Sequence, residues 1–219
     1  LNYIDIIIPS FIKGDGMQER EAIIYPLFSK PVMALRVHLD NNKILNYIKT
    51  IKYRPTQYAD GVSMSISNHV LDTNKLKKEK DIFFKSIKHY LTTIGYDRKY
   101  KIHTSWCSRT KPGSTSQPHI HQNSWLSAVY YPTSHTGFSI SFLKSNLNHY
   151  KLEYNDKNNI YSAEEYNFQP STNTLLIFPS ELLHKINRNT TDDTRYSLAF
   201  SINPIGLFQK GADVEINYE

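Results

Sequence analysis

One cysteine, Cys107, stands among the 219 residues of the chain. A single thiol closes no internal disulfide and excludes a four-cysteine zinc knuckle, so a buried structural thiol is the expectation. No run approaches the ~20 consecutive apolar residues that cross a bilayer. The opening Ile4–Ile8 is too short, with Asp5 inside it, for a signal peptide. These absences predict a soluble protein of a reducing, cytoplasmic compartment with no membrane partner. Without secretion, the sequon Asn189-Thr190-Thr191 reads as chance. A glycine-rich phosphate loop, a helix-turn-helix pattern and internal repeats are also missing, which removes the usual sequence support for nucleic-acid binding. The sharpest absence is local: no Asp or Glu occurs between Arg98 and Leu152.

What is present fits one globular domain. The apolar and charged fractions, 39% and 21%, are those of ordinary soluble proteins and argue against wholesale disorder. The chain is long enough to bury a real core. We expect a single domain over 1–219: N-terminal strands and supporting helices in 1–100, a β-rich core in 101–206, and a tail in 207–219. The formal charge of +6 is densest at Lys75–Lys88 and reads as the solvated face of a helix.

Along the chain, 1–21 carry little beyond a turn at Gly14-Asp15-Gly16. Ala22–Val37 is strand-like but broken by Pro26 and Pro31, as suits edges or bends. Asp40 is placed to cap a helix whose Ile44, Leu45, Ile48 and Ile51 recur at helical spacing. Residues 54–71 read as a polar loop. A longer helix is expected from Thr73 to Ile94, with Phe83, Ile87, Tyr90, Leu91 and Ile94 as its apolar stripe and Gly95 as its stop. Short β-rich runs follow: Ile102–Ser108, Gln117–His121, Trp125–Tyr131, Phe138–Leu143, Tyr166–Gln169, Thr174–Phe178, His184–Asn187 and Tyr196–Ile202. Such a rhythm argues for an antiparallel sandwich or barrel. Ser145–Ala163 looks like an insertion bordering a site.

Two islands carry chemistry. In an extended segment, His119 and His121 point to one side, because side chains repeat every second residue. Histidine is the commonest metal ligand among side chains. His184 in a later strand offers a third nitrogen, and a facial set of three leaves the other side open. Arg195 lies inside an otherwise apolar strand, where a mere surface ion pair is out of place.

The ordered text H-I-H-Q-N-S-W-L-S-A-V-Y-Y (119–131), L-L-I-F-P-S-E-L-L-H (175–184) and R-Y-S-L-A-F-S-I (195–202) resembles the Fe(II)/2-oxoglutarate-dependent dioxygenase superfamily. The likeness is greatest to its 2OG-Fe(II) oxygenase family and more distant to the prolyl hydroxylases. Leu27-Phe28-Ser29-Lys30-Pro31 fits the opening L-F-x-x-P strand of that family, and the segment entering Ser105-Trp106 fits as well. The resemblance implies a mainly β fold, a double-stranded β-helix (jelly roll, cupin-like) packed against N-terminal helices. It implies Fe(II) held by His119, His121 and His184, with Arg195 pairing with the distal carboxylate of 2-oxoglutarate. Ser197 and Tyr131 would share that carboxylate. It further implies a hydroxylase that consumes 2-oxoglutarate and molecular oxygen, releases succinate and CO2, and acts on an unidentified small molecule or protein side chain. A homodimer through exposed edge strands fits the same picture.

Position 121 departs from the superfamily pattern, which has Asp or Glu there. Three readings of the ligand set follow: His121 itself, Glu181 as ligand or neighbour, or His119 and His184 with water. Two other functions fit parts of the text. A three-histidine cupin, a dioxygenase or isomerase without 2-oxoglutarate, matches Gly113, the H-x-H and Phe178-Pro179, but lacks the usual glutamate and has no need of Arg195. A non-enzymatic jelly-roll binding module matches the β rhythm alone.

Overall fold

In the computed structural model, the described residues are 10–12, 20–22, 28–57, 59–134, 136–145, 159, 161–207 and 215–216. Two units are formed, Leu1–Lys30 and Pro31–Glu219. The first contains a short antiparallel hairpin, β1 (Ser10–Ile12) against β2 (Arg20–Ala22).

The second unit opens with β3 (Met33–Arg36) and α1 (Asn41–Thr50). Asp40 caps α1 as expected, its side chain accepting from the Lys43 amide at 3.0 Å. Ile44 and Ile48 are its buried stripe. Residues 54–71 are not simply a loop: β4 (Tyr53–Pro55) and β5 (Val62–Ser65) pair as a hairpin, and a 3-10 turn covers Val70–Asp72. Short strands with serine and a proline on the sheet edge give little alternation to read. After a second 3-10 turn, α2 (Lys77–Thr93) buries Phe83, Ile87, Tyr90 and Leu91. Gly95, at φ 78°, takes the left-handed conformation that stops it. Ile94 falls past the last helical residue and is exposed, unlike the stripe it was expected to join.

The remaining strands are β6 (Tyr100–Thr110), β7 (Leu126–Tyr131), β8 (Ile140–Leu143), β9 (Glu165–Phe168), β10 (Thr174–Pro179), β11 (His184–Ile186) and β12 (Arg195–Pro204). A two-residue pair, β13 (Gly206–Leu207) with β14 (Glu215–Ile216), follows. An antiparallel seven-stranded sheet runs β3-β10-β7-β12-β6-β5-β4, and a smaller one runs β11-β8-β9. Together they form the expected jelly roll. Most of the Ser145–Ala163 insertion, and the first residue of the expected L-F-x-x-P strand, lie outside the described residues. Phe28 to Lys30 are not strand; Phe28 is 99% exposed.

Strand alternation divides the large sheet into two faces. Leu126, Ala128, Tyr130, Leu175, Ile177, Leu198, Phe200 and Ile202 pack under the helices, joined by Phe83, Ile87 and Leu91. Val129, Tyr131, Leu176 and Phe178 face the small sheet and pack with Ile140 and Phe142. Cys107 belongs to the first group, fully buried and free, as expected. Burial pushes its thiol up to about 12.

Candidate metal centre

The interior face of the jelly roll carries the site. Gln117–His121 is not a ladder strand; it touches β11 through one bridge, His119 opposite His184. Pro118 lacks the N–H a ladder needs, so the segment is pinned at separated points. The His119 amide donates to His184 O at 2.9 Å, the His184 amide returns to His119 O at 3.0 Å, and the His121 amide donates to Ser180 O at 3.0 Å. This keeps the segment extended, and the two-residue spacing still brings both rings to one side.

There they meet His184. The ring centroids are 4.5 Å apart for His119–His184, 5.0 Å for His121–His184 and 5.3 Å for His119–His121. One nitrogen from each lies within 4.8 Å of the others, the only such grouping among the described residues. Glu181 is exposed and is not part of this convergence. Burial, then the neighbouring imidazoles, depress the His121 pKa to about 3. Burial depresses His184 to about 4, against the hydrogen bond to Leu182 O and with the His119 ring adding to the depression. Both rings are therefore neutral at physiological pH, the form a metal requires.

The three rings are supported differently. His119 Nδ1 bonds Gln117 O at 2.9 Å, and His184 Nδ1 bonds Leu182 O at 2.8 Å. A backbone carbonyl accepts only from N–H, so each contact places the proton on Nδ1 and frees Nε2. His121 makes no ring hydrogen bond among the described residues; Trp106 packs 5.4 Å from it. The two carbonyls are invisible in the sequence, because a main-chain acceptor two residues before a histidine leaves no side-chain signature. Trp106 carries no local signal of this contact either, since its approach depends on β6 lying beside β12.

Arg195 is 2% exposed at the start of β12. Its guanidinium stands 5.6 Å over the Tyr131 ring and 5.7 Å over the Phe138 ring. One nitrogen reaches Ser139 O, at a long 3.3 Å, while Nε is buried with no partner. Arg195 forms no ion pair among the described residues, and burial pulls its pKa below the ordinary value. Ser197, one same-face step along the strand, and Tyr131 are both buried. A cation this deep without an anion is costly unless a ligand completes it. The donors present are those a carboxylate needs. Further along the same face, Ala199 lies opposite Trp106, which brings the strand to His121.

Asn189, the sequon residue, is 2% exposed and fully engaged. Its side chain donates to Thr110 O and Asp193 O and accepts from the Thr191 amide and hydroxyl. It ties the end of β6 to the loop that delivers Arg195.

Comparison with known proteins agrees with this geometry. Residues 104–201 match the family model described as "Putative 2OG-Fe(II) oxygenase". No curated protein matches in sequence. Among solved structures, the chain is similar to HygX from Streptomyces hygroscopicus with nickel and 2-oxoglutarate bound. The identity is 8%, with 80% of this chain and 83% of that one covered and a TM-score of 0.57. It is also similar to a Pseudomonas putida prolyl-4-hydroxylase, at 13% identity, 82% and 96% coverage and a TM-score of 0.54. The epimerase SnoN from nogalamycin biosynthesis, described as non-heme and alpha ketoglutarate dependent, matches at 9% identity, 81% and 77% coverage and a TM-score of 0.59. At such identities the structures establish the jelly-roll fold alone, and the family model matches residues 104–201, under half of the chain.

Proposed function

We propose, with residues 104–201 forming the core of an Fe(II)- and 2-oxoglutarate-dependent oxygenase, that the chain hydroxylates a C–H bond of its substrate and turns 2-oxoglutarate into succinate and CO2. His119, His121 and His184 would hold the iron, and Arg195, Ser197 and Tyr131 the distal carboxylate of 2-oxoglutarate. The observation that carries the reading is Arg195, a buried cation with an orphaned Nε and the buried Ser197 and Tyr131 nearby. A three-histidine cupin that does without 2-oxoglutarate gives no account of that cost.

When bound, iron supplies the activation of oxygen. The chain's own residues do the rest. Two backbone carbonyls hold His119 and His184 with Nε2 facing the centre. Burial keeps His121 and His184 unprotonated. Three neutral ligands leave the full double positive charge of the metal in place, which favours an anionic chelator. Phe178, 5.0 Å from His184, and Phe142, 6.3 Å from it, exclude water on one flank.

Anaerobic titration with Fe(II) and 2-oxoglutarate, read by the visible charge-transfer band of the chelated pair, tests this. Wild type should show the band, and Arg195→Ala should need about a hundredfold more 2-oxoglutarate, the loss of a charge-assisted pair. His121→Ala should lose most of its iron affinity. Iron binding with no response to 2-oxoglutarate would sink the reading.

A further inference from the structure

Among the described residues, two buried side-chain nitrogens lack a hydrogen-bond partner: Arg195 Nε and Arg109 Nε. Arg109 lies one strand from Arg195 but on the opposite face of the sheet, directly across from Tyr196 on β12 and Ser63 on β5. Its guanidinium stands 4.8 Å over the Tyr53 ring. Tyr53 packs edge-on to Tyr196 at 6.5 Å, and the exposed Lys49, from the last turn of α1, stands 5.9 Å over that second ring. Tyr53 itself is held in place, its hydroxyl donating to Ile48 O at 2.8 Å. Each ring of this tyrosine pair thus carries one cation.

Arg109 and Lys49 form no ion pair among the described residues. Residues 41–59 hold Lys43, Lys49, Lys52 and Arg54 and no Asp or Glu. Asp40 and Asp60 flank that run, Asp40 capping α1, while Glu79 is paired with Lys43 at 2.7 Å and Asp72 with Lys80 at 2.6 Å. Lys75 stands over a further tyrosine of α1, 5.6 Å from the Tyr47 ring. A solvated helix face, the expectation for Lys75–Lys88, accounts for the lysines of α2. It does not account for a half-buried arginine on a strand with an unfilled Nε.

We propose that Arg109 and Lys49, framed by Tyr53 and Tyr196, form a second anion site that binds a phosphate group on the helix-bearing side of the large sheet. A guanidinium fork takes two oxygens in its plane and an ammonium takes a third as a point charge, a combination that suits a tetrahedral dianion better than a flat carboxylate. The phosphate belongs to a free small molecule or to a nucleic-acid backbone.

Binding is measured on protein saturated anaerobically with Fe(II) and 2-oxoglutarate in phosphate-free buffer, so that Arg195 is occupied. Inorganic phosphate is titrated by calorimetry, and a short fluorescein-labelled oligothymidine by anisotropy. Phosphate should bind saturably, about tenfold more weakly in Arg109→Gln and several-fold more weakly in Lys49→Gln, with 2-oxoglutarate affinity unchanged. If the oligonucleotide binds more tightly than phosphate, loses affinity steeply with salt and depends on Arg109, the source is a nucleic-acid backbone. If only the inorganic ion binds, the source is a small phosphorylated molecule. The exposed Lys49→Gln variant keeps the test open should Arg109→Gln fold poorly. Absence of saturable binding, or binding unaffected by both substitutions, overturns the proposal.

Discussion

The two faces of the seven-stranded sheet are built from alternate residues of the same strands, yet they follow opposite rules. Under the helices, Leu198, Phe200 and Ile202 on β12 are fully buried hydrophobes in close contact with one another's neighbours. On the interior face, the same strand presents Arg195, Ser197 and Ala199. On the first face, Leu198, Phe200 and Ile202 meet every demand of burial. The second leaves a guanidinium nitrogen unsatisfied and gathers three imidazoles that burial keeps neutral. Along β12 one side holds the fold while the other spends stability on a site, and period-two alternation lets them coexist without sharing a residue.

Substitutions should separate the faces by sign. Phe200→Ala removes a ring that is 5.1 Å from Phe83 and fully buried. It should cost about 3–5 kcal/mol in urea unfolding, with metal and 2-oxoglutarate affinities of the folded protein unchanged. Arg195→Met, on the other face, should raise the stability of the ligand-free protein by ~1–4 kcal/mol, because an unpaired buried charge is replaced by apolar bulk. The same change should abolish the rise in melting temperature that 2-oxoglutarate gives wild type. If Arg195→Met proves destabilising, the interior face is ordinary core and the contrast fails.

Acid sharpens the contrast next. The folded pKa values of His121 and His184, about 3 and about 4, lie below the ordinary 6.5. Below pH 6.5 the unfolded chain therefore takes up protons that the folded chain does not. Stability is complete above that pH and is lost as pH falls from 6.5 towards 4 and 3, by ~1.4 kcal/mol per histidine for each pH unit. Metal-free protein unfolded in urea at pH values either side of 6.5 should show this slope. The double variant His121→Gln, His184→Gln should show a flatter one; an equal slope would place the acid sensitivity elsewhere.

Much of this was legible in the chain. Asp40 and the isoleucines after it define α1, and the Phe83–Leu91 stripe defines α2, because caps and helical spacing are local signals. The eight β-rich runs gave seven strands, and the H-x-H with His184 and Arg195 pointed to the residues that now converge or stand orphaned. What escaped depended on partners far away in sequence. The hairpin of 53–65 exists because β5 finds an edge on β6, not because its residues alternate. The segment at 117–121 reads as a strand, but Pro118 leaves it only one bridge. The idle state of Arg195 and Arg109 is invisible in a sequence, since it is a statement about which acids fail to arrive.

The smallest expected effect concerns how the three imidazoles are held. For His119 and His184 the support is a carbonyl of the main chain, so Gln117→Ala should leave iron affinity unchanged: the acceptor is not in the side chain. His121 has no such acceptor, and its ring lies against Trp106 at 5.4 Å. Trp106→Leu should therefore weaken anaerobic Fe(II) binding by about tenfold, at the low end of what losing a ligand's supporting partner costs. Fluorescence gives an independent readout. Trp125 packs on Tyr96 at 4.6 Å, among the residues under the helices, so quenching by the metal should come from Trp106 and persist in Trp125→Phe. Equal iron affinity in Trp106→Leu and wild type would mean that His121 is oriented by the backbone bond to Ser180 alone. In that case the departure at position 121 would rest on main-chain placement, as His119 and His184 do.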